Sequence, residues 1–341
     1  MKQVHVAVDA HNLARDDRGI GRYARAVLSR AQRDPRFRWT FVVRDLFPRR
    51  APVAHAIGAA DVRVARRVPA DADVVWFPWN GTFLRTNVPA VATIHDAAPF
   101  AFPAADARKR ATEQNPFLAT AATARRILVQ SRFTANEVEA RLGVEAARVV
   151  VTPLAADPVF TPGALDALPA ELRGKRYVLH VGAHDERKNT ATLIAAYARA
   201  FANADVMLVF TRRPPTLPPG GHVVDAPDDA TLVALYRGAA LVAVPSTYEG
   251  FGLPLLEAMA CGTAALAARA GALPEVGDDA AAWVDDVLDA GAWSDALRDL
   301  LAGDAERAAL AARGLARAAT FSWERCTAQT LAILEATAAG P

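Results

Sequence analysis

The sequence predicts an α/β protein built from two successive doubly wound domains, and three observations carry that prediction. Short apolar runs alternate with Ala- and Arg-rich stretches of helical length along the whole chain. Such strand–helix–strand alternation implies parallel sheets with helices on both faces. Near residue 160 a stretch rich in proline and glycine, DPVFTPGALDALPAELRG, breaks the alternation, and a second, similar series follows it. The length of 341 residues also suits two domains at roughly 150 residues each.

Taken in order, VHVAVDA, WTFVVRD, DVVWFPW, AVATIHD, RILVQS and RVVVTP read as the buried strands of a first domain, residues 1–160. YVLHVGA, DVMLVFT, HVVDA, ALVAVPS and TAALAA read as those of a second, residues 161–320. Open parallel sheets bind ligands beyond the carboxyl ends of their strands. Two such domains facing each other would form a central cleft, so polar and glycine residues just after strands are the candidates for function.

Composition narrows the classes. Hydrophobic residues make up 52% and charged residues 22%, which excludes a disordered chain. Two cysteines, Cys261 and Cys326, are too few for a disulfide framework and suit a reducing, cytoplasmic setting. MKQVHVAVDAHN reaches Asp9 after too short an apolar run for a signal peptide, and no window holds 18 uninterrupted apolar residues. Residues 1–160 carry 24 Lys+Arg against 15 Asp+Glu, a net +9, whereas residues 161–341 carry 15 against 22, a net −7. The basic residues lack aromatic interleaving, which argues against nucleic acid as a partner.

The most informative stretch is PSTYEGFGLPLLEAMACGT. A strand ends near Pro245, and a loop then presents Glu249, Gly250, Phe251 and Gly252 before a helix opening around Leu253 and Pro254. Backbone amides at such a helix start offer a positive dipole end to an anion. Glu257, one turn into the helix, cannot bind phosphate but can accept hydrogen bonds from vicinal hydroxyls, so a ribose phosphate fits both groups. The plainer alternative is a pair of solvated carboxylates, which the apolar neighbours Leu255, Leu256, Ala258 and Met259 disfavour.

VGAHDERKN places Arg187 and Lys188 just after the first strand of the second domain, where they could neutralise a diphosphate leaving group. A solvated helix face is the alternative. DDRGIGRYARAV puts Gly19 and Gly21 ahead of a helical run in the form G-x-G-x-x-A. Gly19 lies too far beyond Asp9 for the tight turn of a dinucleotide fingerprint, yet the glycines could let the backbone approach phosphate or sugar. TIHDAAPF sets His95 and Asp96 at a strand end, where the aspartate could orient the imidazole. Asp71 and Asp73 have the D-x-D form of metal-dependent sugar transferases but precede a strand, facing away from the ligand edge. No metal site is expected.

YEGFGLPLLEAMACGT, with Glu249 and Glu257 spaced E-x7-E, resembles the hallmark of retaining GT-B glycosyltransferases of bacterial surface-polysaccharide and mannosyl transfer. GIGRYA, TIHDAAPF, ILVQSRFTANEV, VVTPLAADPVF, YVLHVGAHDERKN, LYRGAALVAVPS and ALPEVGDDAA follow in that family's order. FSWERCTAQTL is similar to its final segment, which implies that residues 321–341 form a helix crossing back to the first domain.

The resemblance implies two Rossmann-like domains and a metal-independent hexosyl transfer without a cofactor. Its donor would be a nucleotide-diphosphate sugar, with GDP-mannose favoured. Glu257 would hold the ribose hydroxyls and Glu249 the donor sugar or phosphate region. Amides of Gly250, Phe251, Gly252 and Leu253 would cradle the diphosphate, and Lys188 with Arg187 would stabilise its departure. Gly19 and Gly21 would form the phosphate-facing loop of the first domain, and His95 would sit near the anomeric carbon. Ala183 stands where many members carry arginine, and Thr211-Arg212-Arg213, Asp225 and Ala226 also depart from the pattern near the expected base site.

The acceptor implied is a growing surface glycan or a glycan on a lipid diphosphate. The basic stretch 106–117, DARKRATEQNPF, which Pro116 is expected to end or kink, is the candidate for an anionic membrane surface on the inner face of the cell membrane. Rival readings are a sugar-nucleotide epimerase or hydrolase of the same plan and a non-catalytic nucleotide-sugar-binding protein.

Overall fold

The computed structural model of the protein describes residues 3–16, 19–82, 84–201 and 206–340. It holds two all-parallel sheets. The first contains β1 (Val4–Asp9), β2 (Phe37–Val42), β3 (Val64–Ala65), β4 (Val74–Phe77), β5 (Ala90–Thr93), β6 (Arg126–Val129) and β7 (Val149–Val151). Their spatial order is β3-β2-β1-β4-β5-β6-β7. The second contains β8 (Arg176–His180), β9 (Val206–Phe210), β10 (Gly221–Val223), β11 (Leu241–Val244), β12 (Ala265–Ala268) and β13 (Ala282–Val284), in the order β10-β9-β8-β11-β12-β13. Both orders reverse direction beside the first strand of their series, between β1 and β4 and between β8 and β11. Those are the switch points where doubly wound sheets open a crevice at the carboxyl ends of the strands.

The strands form where the sequence runs Val, Ile, Ala and Leu without alternation, because helices cover both faces. Val6, Ala7, Val8, Val74, Val75, Val91, Ile127 and Leu128 are fully buried in the first sheet, as are Val178, Leu179, Leu208, Leu241 and Val242 in the second. β3 and β13 lie at sheet edges and span too few residues to give a periodic signal, and the sequence reading missed both.

The chain divides into one unit of Met1–Leu154 with Ser322–Pro341 and another of Ala155–Phe321. The division falls at Leu154 rather than at 160, because the Pro-rich stretch is packed into the second unit. Phe160 stacks edge-on against Tyr236 at 5.7 Å, and Leu168 and Leu172 are buried. The last helix, Trp323–Ala338, is capped by Ser322, whose hydroxyl accepts from the Arg325 N–H. It belongs to the first unit, where Trp323 meets the Tyr23 ring and Glu324 and Glu335 pair with Arg30 and Arg36. Among the described residues no helix is long and apolar enough to cross a membrane.

Pro116 does not end its helix, which runs Ala107–Thr123. The ring packs against Gly81, whose positive φ of 127° brings the backbone to it, and the Pro116 carbonyl accepts from the Thr82 N–H at 3.1 Å. These contacts hold the turn that the missing N–H would otherwise loosen.

Candidate functional site

In the second unit the loop after β8 brings its basic pair back over the end of β11. Glu186–Lys188 form one short 3-10 turn, closed by Asn189 in the left-handed conformation at φ 51°. Asparagine tolerates that conformation, and its side chain gives the reason for it: Nδ2 donates to the carbonyls of Pro245 and Val287. The Thr247 N–H donates to the Arg187 carbonyl at 2.8 Å. Two loops distant in sequence are thereby fastened together.

The fastening places Lys188 Nζ 2.6 Å from Glu249 Oε1, with Arg187 Nη1 3.8 Å from Oε2. Glu249 is buried, and burial pushes its carboxyl up. The neighbouring charge and hydrogen bond of Lys188, then Arg187 and a hydrogen bond from Ser246, outweigh that and hold it below the usual range. The resulting site is an ionised carboxylate flanked by two cations, and Lys188 keeps two further N–H donors.

The Glu249 backbone is gripped from the far side. Its carbonyl accepts from the Ala272 N–H at 3.0 Å, and Gly271 at φ 58° passes so close that a Cβ there would lie 2.7 Å from the Glu249 nitrogen. Four positions on from Glu249, the helix Leu253–Ala260 begins with Gly252 in the left-handed region and no side-chain cap. The N–H groups of Leu255 and Leu256 both turn back to the Gly252 carbonyl, and Pro254 has none. The amides of Phe251, Gly252 and Leu253 make no hydrogen bond among the described residues. The Phe251 ring is committed to packing, edge-on to Phe321 at 5.7 Å. Gly250 is buried in the same loop.

Glu257 lies on the buried face of this helix, and its Oε2 accepts from the Tyr236 hydroxyl at 2.8 Å. Tyr236 was not identified from sequence. The only signal was a tyrosine in LYRGAA, where an aromatic residue is ordinarily core. Two histidines were missed as well. His180 ends β8 fully enclosed, its Nδ1 on the Ala243 carbonyl and its Nε2 3.3 Å from Thr190 Oγ1. Burial lowers it to about 4. His184 reaches the same Thr190 hydroxyl through Nδ1 at 3.0 Å and the Arg212 carbonyl through Nε2 at 2.8 Å. Thus Arg212, in a segment that departs from the family pattern, fixes the loop that carries Lys188.

In the first unit, Gly19 and Gly21 do not form a loop. They are the first turn of the helix Gly19–Ala31. A Cβ on Gly21 would lie 1.7 Å from the Asp16 carbonyl oxygen, so the glycine lets the turn after β1 lie on the helix start. The first N–H groups of a helix have no partner within the helix itself. Asp17 and Arg18 fall outside the described residues.

His95 follows β5 and is enclosed. Its backbone N–H donates to Asn80 Oδ1 at 2.6 Å, and its Nε2 lies 2.9 Å from the Pro78 carbonyl. A carbonyl only accepts, so Nε2 carries the proton and Nδ1 holds the lone pair. Burial lowers the imidazole below its ordinary value and keeps it neutral, against the raising influence of the Pro78 carbonyl and Asp96. Tyr23 stands edge-on to the ring at 4.9 Å. At the end of β1, Asp9 is fully buried, and its Oδ2 has no hydrogen-bond partner among the described residues. Asp71 and Asp73 hold the opposite end of the sheet: Asp71 pairs with Arg38, and Asp73 accepts from the His5 N–H. Among the described residues no three His, Cys, Asp or Glu side chains gather as a metal site.

Comparison with known proteins agrees across both units. Residues 222–317 match the family described as Glycosyl transferases group 1, and residues 3–160 match Glycosyltransferase Family 4. The chain is 33% identical over 265 residues to O-antigen chain mannosyltransferase B of Escherichia coli, covering 71% of this chain and 69% of that one. It is 31% identical over 247 residues to the MMP alpha-(1->4)-mannosyltransferase of Mycolicibacterium hassiacum, covering 67% of this chain and 56% of that relative, little more than half its length. In fold it is similar to Anabaena Alr3699/HepE, solved in complex with UDP and glucose, at a TM-score of 0.72, 14% identity and coverage of 98% and 99%.

Proposed function

The chain belongs to the group 1 glycosyltransferases of the GT-B fold, and on that premise we propose that it transfers a hexose from a nucleotide-diphosphate sugar to a glycan or lipid-diphosphate-linked glycan. Mannose is the favoured sugar and GDP-mannose the favoured donor, because two relatives are named as mannosyltransferases. Transfer with retention, without a metal, in the cytoplasm at the inner face of the cell membrane completes the reading.

The observation that carries it is Lys188, held 2.6 Å from Glu249 in the loop leading to the amides of residues 251–253, which have no hydrogen-bond partner among the described residues. A diphosphate needs this combination, because amides and an ammonium stabilise negative charge already in place as the glycosidic bond breaks. In the proposed step the bond from the anomeric carbon to the diphosphate oxygen breaks, with charge spreading into an oxocarbenium-like state. The acceptor hydroxyl then adds on the same face and gives its proton to the departing phosphate oxygen. Lys188, aided by Arg187, takes the developing charge. Glu249 fixes the ammonium and accepts from a sugar hydroxyl. Glu257, oriented by Tyr236, accepts from the ribose hydroxyls. His95, neutral with its lone pair on Nδ1, accepts a hydroxyl hydrogen bond. Gly19 and Gly21 supply helix-start amides.

A thermal-shift screen against GDP, UDP, dTDP and ADP and their sugars tests the reading. A ligand at 100 times its dissociation constant adds roughly 2.7 kcal/mol. Stabilisation by one base, lost in Glu257→Ala, is the expected result. No shift with any of them overturns the donor site. The UDP in the Anabaena neighbour makes UDP-glucose the main competitor to GDP-mannose.

A further inference from the structure

We propose that the loop after β2 in the first unit is a membrane-docking tip, seating Leu46 and Phe47 in an anionic lipid bilayer beneath a ring of arginines. The inference names the surface behind the inner-membrane part of the function proposed above. It rests on that reading only for its purpose, since its test needs no catalysis.

Leu46 is 64% exposed and Phe47 80% exposed, adjacent in sequence and followed by Pro48. Single exposed apolar residues are ordinary, but an adjacent pair at a loop tip withdraws its area from water only against a partner. The charge around the tip says which partner. Arg49 and Arg50 follow it directly and are exposed. β2 and β3 run parallel with Val42 opposite Ala65, so Arg66 and Arg67, which follow β3, leave the same edge of the sheet as the tip. Arg49, Arg66 and Arg67 form no ion pair among the described residues.

The acids nearby do not offset this ring. Asp45 is engaged by Arg15, and Asp61 accepts from the Val62 N–H and lies 3.6 Å from Arg50, which leaves Arg49, Arg66 and Arg67 uncompensated by either acid. An apolar wedge ringed by cations matches an anionic interface, where side-chain insertion and headgroup attraction add. The basic helix start at 106–117 is a poorer candidate. Its Asp106 caps the Lys109 N–H, Lys109 lies 3.9 Å from Glu113, and the large apolar residues flanking it, Phe102 at 36% and Leu118 at 48%, are less exposed than Leu46 and Phe47.

Co-sedimentation of the full chain with vesicles tests the proposal, using phosphatidylcholine alone and phosphatidylcholine with phosphatidylglycerol. Binding is expected only to the anionic vesicles and is expected to fall at high salt. Phe47→Ser should weaken it by about tenfold. Arg49→Glu with Arg66→Glu and Arg67→Glu should weaken it on the order of 100-fold or more. All these positions are exposed, so melting temperatures near the parent's check folding. Phe47→Trp should gain a blue-shifted emission component on anionic vesicles that the parent lacks. Equal binding to neutral vesicles, or unchanged binding by Phe47→Ser, overturns the proposal. So does loss of binding only when Arg108, Lys109 and Arg110 are reversed. A dimer in solution that Phe47→Ser dissolves overturns it in favour of a second copy of the chain.

Discussion

Lys188 Nζ and Glu249 Oε1 lie 2.6 Å apart although 61 positions separate them in sequence. Both are nearly enclosed, at 12% and 9% side-chain exposure. Removing one member of such a pair strands the other charge, so the two truncations should differ in kind. Glu249→Gln leaves Lys188 and Arg187 facing a neutral amide, and a loss of about 3 kcal/mol in unfolding free energy is expected by denaturant melts. Lys188→Ala leaves Glu249 with Arg187 as its cation. Its larger effect should be on turnover, down on the order of 100-fold with a smaller change in donor affinity. Unchanged transfer by Lys188→Ala would remove it from the charge-stabilising role.

Tyr236→Phe tests the second carboxylate. The Tyr236 hydroxyl is the donor to Glu257 Oε2, and both groups are buried. Its loss leaves a buried acceptor short of a hydrogen bond, a destabilisation of about 1–3 kcal/mol. A nucleotide whose ribose supplies donors to the same carboxylate should recover part of it. The ligand-induced shift in melting temperature is therefore expected to be retained or larger in Tyr236→Phe and lost in Glu257→Ala.

Much of the candidate site in the second unit was legible because short-range signals agree with the fold. The strand ends at Val244 and His180, the Gly252–Pro254 helix start and the stop near Gly262 follow from turn chemistry and apolar runs that local sequence displays. What was not legible depends on long-range register. Tyr236 reaches Glu257 only after β11 and two helices are packed, and Asn189 joins Pro245 to Val287 across three loops. Nothing in the neighbourhood of either residue shows this. The G-x-G pattern suggests a loop at Gly21. The structure uses it to admit the Asp16 carbonyl against a helix that starts two residues earlier.

Acid should weaken the fold in two stages. His180 ionises in the folded chain only at about 4, and burial also lowers His95, whereas both would ionise near the ordinary 6.5 once unfolded. Between those values the unfolded chain holds more protons, so stability falls as pH drops from 6.5 towards 4. Glu249, held below its ordinary 4.5, adds stability that is present above 4.5 and lost as pH falls through its lower folded value. The melting temperature should therefore decline from pH 6.5 downwards, and less steeply in His180→Asn. A flat profile to pH 5 would show that neither histidine stays neutral in the folded chain.

Asp9 works in the opposite sense. Burial raises its carboxyl, partly offset by the His11 N–H, Arg44 and His11. The folded chain thus favours the protonated form, and stability declines as pH rises from the ordinary 3.8 through the higher folded value. Asp9→Asn should melt higher than the parent at neutral pH, and the difference should vanish in acid. A lower melting temperature at neutral pH would mean that attraction to Arg44 and His11 outweighs burial.

Gly252→Ala is expected to strike fold and function together. At φ 102° an alanine is strained by about 1–2 kcal/mol. Its Cβ would also stand 2.6 Å from Leu273 Cδ2, and Leu273 is fully buried, so the clash cannot be relieved into solvent. Overpacking of this kind adds about 1–3 kcal/mol. The two contributions separate in a double-mutant cycle. Leu273→Ala opens the space but leaves the dihedral strain, so Gly252→Ala should be less damaging by the overpacking share in that background. Donor affinity should stay low in both, because the amides of Phe251, Gly252 and Leu253 are aimed by the Gly252 dihedral and not by the room around it. Recovery of affinity along with stability would show instead that packing against Leu273 sets the position of those amides.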